Sequence, residues 1–367
     1  MLNNNIIFRL HLVRHAETEA NEAGIVLGQI DSPLTKLGVK QSIAAHHEYG
    51  YAGILGTTRL LSYDVDNDGK YWKVFSSDLE RCKTTSRLIL FGSATSATTS
   101  TENDKNRNGI AVAAAATNNI NTSTCSSTTI IHLDKRLRER AKGAREGQSK
   151  HLTYSEALEL FQQNAQKQGK IFRESDIPLL ETELEVLDRF QDWLEETLAD
   201  AVHHYHYCNS RRNCNDNDST NDNTNANVDT SPEQKPSNIY NVLAISHSGT
   251  LRVIFEKLIG DQTPSNAERE EEGIKVFGNT STSKNSGRLM IPNTSKSIIE
   301  FTRMISTTCG SISDVHNKLV VEKNTNSDEN EMVKIKTRGG GVEEGDEICW
   351  RPRLLDYMNT KHFRMIK

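Results

Sequence analysis

The chain has 367 residues, 35 % hydrophobic and 25 % charged, with a formal net charge of −5. That balance gives no electrostatic ground for nucleic acid or an anionic membrane surface as partner. No apolar run reaches the roughly 18 residues that a membrane span needs. Length alone would allow two domains. The polar excess, however, sits in Asn/Ser/Thr-rich stretches, which predicts one core interrupted by polar insertions. Met1–Asn5 is polar and leads directly into an apolar run, so no secretory segment is expected. The six cysteines include no Cys-x-x-Cys pair. Free thiols in a reducing cytoplasm are the expectation.

In chain order, Ile6–Val13 is a short, β-branched apolar run that reads as a buried strand and ends in Arg14-His15. Thr35–Glu48 reads as a helix capped by Thr35, with Leu37, Ile43 and Ala44 on one face. Residues 50–71 read as loop. Within them Asp64-Val65-Asp66-Asn67-Asp68-Gly69 resembles the start of a calcium loop, but the twelfth position is Phe75 rather than Glu, so a solvated turn is expected. Lys73–Ser76 is the next strand. A helix follows from Asp78, with Ser77 or Asp78 as its cap and Arg81 in its first turn, and residues 92–129 read as a disordered polar insertion.

Ile130–Leu133 is a strand that leads into the basic run Arg136–Gly147. Helices are expected over 153–168 and 181–201, the second with Leu184, Leu187, Phe190, Leu194 and Leu198 facing the core. His203, His204, His206, Cys208 and Cys214 have metal-binding side chains. They run into an insertion over 205–238 that offers no second rigid wall, so no structural metal is expected. Asn241–Ile245 is another buried strand, ending in Ser246-His247-Ser248-Gly249 before a helix over Thr250–Ile259. A third insertion, 261–290, precedes a last strand within Ile291–Phe301. Lys318–Glu322 is read as pairing with it, and residues 305–367 form a C-terminal extension with no assignable role.

Two histidines at the ends of buried strands are placed where ligands gather in α/β sheets. Arg14 and Arg81 add the positive charge that suits an anion. Four segments, Arg14-His15, Ser76-Ser77-Asp78-Leu79-Glu80-Arg81, Leu137-Arg138-Glu139-Arg140 and Ser246-His247, resemble in this order the motifs of the histidine phosphatase superfamily. Gly28–Gly38 resembles the stretch that follows the first of them. The resemblance implies a phosphoglycerate-mutase-like fold, a three-layer α/β/α sandwich on a mostly parallel sheet. It implies a histidine phosphatase domain over 1–304.

The resemblance further implies a phosphoric monoester hydrolase without metal or other cofactor. His15 would be the nucleophile and Glu139 the acid and base. Arg14, Arg81 and a protonated His247 would hold the phosphoryl oxygens. Asn21, Gly28, Gln29, Arg145, Ser248 and Arg252 would bind substrate, a small phosphate ester. Within the superfamily the chain looks most like fructose-2,6-bisphosphatases of the TIGAR type. Its departures are Ala16 and Ser248 in place of glycines, Lys142 in place of an aromatic, and Leu179-Leu180 in place of Gly-Gly before Glu181. Two other readings stand beside this one: a phosphoglycerate mutase, against which Gly28-Gln29-Ile30 lacks the mutases' tryptophan, and a fold-retaining binding protein.

Overall fold

The computed structural model describes residues 7–49, 71–92, 109–113, 128–215, 239–259, 291–306, 320–321, 333–334 and 347–366. The calcium-loop resemblance at 64–69, most of the 92–129 and 205–238 insertions and all of 261–290 lie outside the described residues.

The strands are β1 (Ile7–Arg14), β2 (Tyr71–Ser76), β3 (Gly109–Ala113), β4 (Thr128–Leu133), β5 (Ile239–Ser246), β6 (Lys296–Ser306), β7 (Val320–Val321), β8 (Val333–Lys334) and β9 (Glu347–Asn359). They form a single sheet in the order β3-β4-β2-β5-β1-β6-β9-β8-β7. Its centre, β4-β2-β5-β1, is parallel. Antiparallel strands extend both edges, β3 on one side and β6, β9, β8 and β7 on the other. β3 lies within the stretch 92–129. Val320–Val321 pairs with β8 instead of with β6. The neighbour of β6 is β9, so part of the C-terminal extension belongs to the sheet.

The helices are α1 (Glu19–Glu22), α2 (Lys36–Glu48), α3 (Glu80–Phe91), α4 (Tyr154–Lys167), α5 (Glu183–Asn215) and α6 (Ser248–Ile254). The last continues as a π-helical turn, Phe255–Ile259. Along β5, Val242 and Ala244 enter one core with Phe190, Trp193 and Leu194 of α5 and Leu251 of α6. Leu243 and Ile245 enter another with Ala45 of α2 and Cys82 and Ile89 of α3. Successive strand residues point to opposite faces, so an unbroken apolar run such as β5 must be covered on both. The result is three layers.

The buried face of α5 includes Val186, Phe190, Trp193, Leu194, Thr197 and Leu198, whereas Leu184 is 65 % exposed. Successive helical residues are about 100° apart, which puts Leu184 off the face that Phe190 and Leu194 define. α5 runs on to Asn215, past residue 205. On α2 Leu37 is exposed, and Gly38 occupies the close approach instead: a Cβ there would lie 2.1 Å from the Glu17 carbonyl oxygen. Thr35 caps α2, accepting from Gly38 N–H at 2.9 Å. The N-cap of α3 is Leu79, which makes no side-chain cap bond. Asp31 fills that role from a distant loop, accepting from the N–H of Glu80 at 2.9 Å. No helix among the described residues is long and apolar enough to cross a membrane.

Candidate active site

A pocket of about 270 Å³ opens at the carboxyl ends of the parallel strands. Backbone bonds align its floor. His15 N–H donates to Ser246 O, and Ser77 N–H to Ile245 O, both at 2.9 Å. The ends of β1, β2 and β5 therefore meet at one level. Arg14, His15, Asn21, Gly28, Arg81, Glu139, Lys142, Ser248 and Arg252 all reach the pocket from different segments.

His15 is buried, and its Nδ1 lies 2.7 Å from the Ala16 carbonyl oxygen. A carbonyl can only accept, so Nδ1 carries the proton and Nε2 keeps its lone pair. Burial holds the ring's pKa well below 6.5, and the charges of Arg81 and Arg14 push it the same way. The result is a neutral imidazole with an available nitrogen. Ala16 fits without strain: its methyl is fully buried, and its N–H donates to Thr85 Oγ1 at 3.0 Å.

The two arginines differ. Arg81 is 1 % exposed and gives four of its five N–H groups to the protein. Nε donates to His247 Nδ1 (3.2 Å), Nη1 to Ile30 O (2.7 Å) and Asp31 Oδ1 (3.2 Å), and Nη2 to Gly28 O (2.7 Å). Arg14 donates through Nη1 to Ile291 O, while its buried Nε meets no acceptor among the described residues. Burial pulls the Arg14 pKa down to about 10, partly opposed by Glu139, and the group stays charged at neutral pH. An anion is what an orphaned guanidinium donor in such a place would satisfy.

Glu139 is clamped by three donors: Arg140 N–H at 2.8 Å, Gly249 N–H at 3.0 Å and Ser248 Oγ at 3.4 Å. Burial alone would raise its pKa. The Lys142 charge, the N–H groups of Gly249 and Arg140, and Arg81 outweigh that and hold it below the usual carboxylate range. Close approach at this corner falls to Gly249, where a Cβ would lie 2.0 Å from Glu139 Oε1. Ser248, one residue earlier, is accommodated and supplies a further donor.

Three expected site residues stand elsewhere. His247 is fully buried 5.1 Å behind His15, centroid to centroid, and does not line the pocket. Its Nδ1 accepts from Arg81 Nε, so its proton is on Nε2, 2.8 Å from Ser77 Oγ. Burial, then the charge of Arg81, depresses its pKa well below 6.5. The expected protonated ring is thus a neutral one: an acceptor facing a guanidinium cannot also hold a proton. Gln29 stands one step back and donates to the Glu139 carbonyl at 2.6 Å. Arg145 points away, with Nη2 on Lys150 O at 3.0 Å. Its loop is pinned by Glu146, whose Oε1 accepts from the N–H of Gln29 and of Lys142.

Other residues at the site were not singled out as binding groups by pattern. Lys142 lines the pocket. Asp31 orients Arg81. Glu183 bridges Arg140 and Arg252 at 3.2 and 3.3 Å. Asn293 donates to the His15 carbonyl at 3.0 Å. The free Cys82 lies 3.3 Å from His247 Nε2, where burial pushes its thiol pKa up.

Part of the chain matches known proteins. Residues 10–102 match the family model of the histidine phosphatase superfamily, branch 1. The resemblance read from the motifs therefore holds for the stretch that carries Arg14, His15 and Arg81. Over 87 residues the chain is 39 % identical to the adenosylcobalamin/alpha-ribazole phosphatase of Salmonella typhi, covering 24 % of this chain and 35 % of that protein. Over 84 residues it is 42 % identical to the fructose-2,6-bisphosphatase TIGAR of Bos taurus, covering 23 % and 25 %. The matched stretch thus spans about a third or less of these relatives. Among solved structures, the alpha-ribazole phosphatase of Shigella flexneri aligns over 79 % of this chain and 89 % of its own, at 19 % identity and a TM-score of 0.35.

Proposed function

We propose that this chain is a metal-independent phosphatase that works through a phosphohistidine on His15. The observation that carries this reading is the His15 ring itself: neutral, with Nδ1 occupied by a carbonyl and Nε2 open to a pocket that also holds Arg14 and Arg81. A neutral imidazole is a competent nucleophile, and a covalent intermediate divides one hard displacement into two easier ones.

In the first step Nε2 attacks phosphorus in line and the P–O bond to the leaving group breaks. Positive charge on Arg14 and the remaining Nη2–H of Arg81 stabilise the equatorial oxygens. The departing alkoxide takes a proton from Glu139. That carboxyl is ionised in the free site, so the proton enters with the substrate, whose second phosphate pKa lies near 6. The phosphate charge also offsets Lys142 and Arg81, which otherwise keep Glu139 acidic. In the second step Glu139 takes a proton from water, water attacks phosphorus, the N–P bond breaks, and inorganic phosphate leaves with that proton, which returns Glu139 to its ionised form.

The substrate class is a small phosphorylated metabolite. Lys142 and Arg252 at the pocket wall suit a second anionic group, as in fructose-2,6-bisphosphate, although Glu183 and Glu256 partly neutralise Arg252. Residues 1–304 are taken as the catalytic domain, its sheet continued by β9, β8 and β7 from the extension. A cytoplasmic setting suits the free thiol of Cys82. The test is phosphate release from fructose-2,6-bisphosphate in excess EDTA, with His15→Ala protein alongside. Release by the wild type alone is expected. Equal release by both proteins would overturn the reading, and no release from this sugar or from a panel of phosphomonoesters would favour the binding-protein alternative.

A further inference from the structure

The residues just before β6 make four bonds to the Arg14–His15 corner. Thr294 N–H donates to Arg14 O at 3.0 Å, Arg14 N–H to Ser295 O at 3.3 Å, Arg14 Nη1 to Ile291 O, and Asn293 Nδ2 to His15 O at 3.0 Å. This loop turns through Thr294, which sits at φ +52°, a left-handed conformation rare for a β-branched residue. Such a conformation persists only where its surroundings over-determine it.

Those surroundings come from the far end of the chain. His362, on the 3-10 turn Lys361–Met365, is fully buried against Thr294 and Tyr49. Its Nε2 lies 2.7 Å from Thr294 Oγ1 and its Nδ1 2.9 Å from Tyr49 Oη. Tyr49 Oη lies 2.6 Å from Thr294 O. One proton arrangement satisfies all three contacts. Nδ1–H donates to the tyrosine oxygen, the tyrosine O–H donates to the Thr294 carbonyl, and the Thr294 hydroxyl donates to Nε2. Thr294 is thereby held by both its side chain and its carbonyl, in a cluster that Lys296 covers from 4.6 Å above the Tyr49 ring.

We propose that His362 is a positioning residue for the nucleophile: through Thr294 it fixes the loop that aims Arg14 and His15 into the pocket. The kinetic consequence rests on the phosphatase reading; the geometric one does not. Full-length His362→Ala, His362→Gln and His362→Asn proteins separate the two. A Gln amide nitrogen falls near the imidazole Nε2 position and can still hold Thr294 by donating to its Oγ1, the hydroxyl then donating to Asn293 O at 2.8 Å. An Asn amide nitrogen falls near Nδ1 and keeps only the tyrosine bond.

Expected are a kcat about tenfold or more lower for His362→Ala and His362→Asn, with KM within twofold, and His362→Gln within about threefold of wild type, since small misplacements of a reacting group are costly. Histidine ¹H–¹⁵N spectra of the same proteins need no turnover. The His15 ring resonances should move in the Ala and Asn variants and stay in place in the Gln variant. Unmoved His15 resonances in folded His362→Ala, or equal losses in Gln and Asn that simply follow their melting temperatures, would overturn the proposal. If His362→Ala does not fold, the Gln and Asn pair decides. Turnover absent in every protein, with His15 resonances moving as expected, would refute the phosphatase reading and leave the positioning role standing.

Discussion

The ends of β1 and β5 are neighbours in register, Arg14 beside Ser246, and each hands on a buried histidine. Both rings are neutral, for the same reasons of burial and nearby guanidinium charge. Their situations are nonetheless opposite. His15 has one nitrogen tied to a carbonyl and the other open to the pocket. His247 has one nitrogen receiving Arg81 and the other on Ser77. Strand position thus brings a histidine to the site, and the hydrogen bonds around its ring decide what it can do there. On the proposed reading one reacts and the other holds Arg81.

Replacing each ring in turn tests that contrast most strongly. His15→Ala should lose phosphate release by roughly 10⁴-fold or more, and should give no phosphohistidine after an alkaline denaturing quench, which preserves the N–P bond. His247→Gln should still be labelled, with kcat down by about 10²-fold as Arg81 loses its preferred acceptor. Loss of label in His247→Gln would mean that the second ring touches the phosphoryl group, and the contrast would fail.

The shared feature of the two rings gives the next effect, on stability. Each has its folded pKa pulled below 6.5, first by burial and then by Arg81, whereas the unfolded chain titrates near 6.5. Below that pH the unfolded state takes up protons that the folded state refuses. The stabilisation is therefore full above pH 6.5 and is lost as pH falls beneath it, by about 1.4 kcal/mol per pH unit for each ring. His11 and His362, lowered to about 3 and about 4, add to the same slope. Urea unfolding at pH 7.5, 6.0 and 5.0 should show this decline, made shallower by one proton in His247→Gln. Constant stability down to pH 5 would mean that the rings are charged when folded.

A smaller effect is expected opposite the rings, at Gly249. An alanine there would put Cβ 2.0 Å from Glu139 Oε1, which is the end of a flexible side chain and can yield. Folding should therefore survive, while the displaced carboxyl loses its N–H partners. Gly249→Ala is expected to lower kcat by about tenfold, with a melting temperature close to wild type. A kcat unchanged in that variant would remove Glu139 from the proton-transfer role.

Much of this was legible in the sequence, because short apolar runs and their polar ends carry the signal. The runs at Ile6–Val13 and Asn241–Ile245 became β1 and β5, and Arg14, His15 and Ser248 beyond them line the pocket. What could not be read was ring orientation, which depends on Ser77 and Arg81 arriving from another segment. Sheet membership beyond the parallel centre was also out of reach. β9 is antiparallel to β6 and begins more than forty residues after it, across polar sequence that gives no pairing signal. The single cap at Leu79 failed to look like one because its work is done by Asp31, a residue almost fifty positions earlier.

The smallest effect separates two cations of one loop. In the sequence Lys142 and Arg145 belong to the same basic run, with Arg145 the stronger candidate for phosphate by chemistry alone. In the structure a 3-10 turn, Gly143–Arg145, starts directly after Lys142 and carries Arg145 to another side. Lys142 lines the pocket and lowers the Glu139 pKa, whereas Arg145 donates to Lys150 O. Arg145→Ala should leave kcat and KM within about twofold, because this half-buried group lies outside the pocket lining. Lys142→Ala should raise KM about fivefold for a bisphosphate and less for a monophosphate, because only the former offers it a second anion. If instead Arg145→Ala gave the larger and substrate-dependent change, the loop would have to turn over on binding, bringing to the pocket the very cation that the free structure holds away.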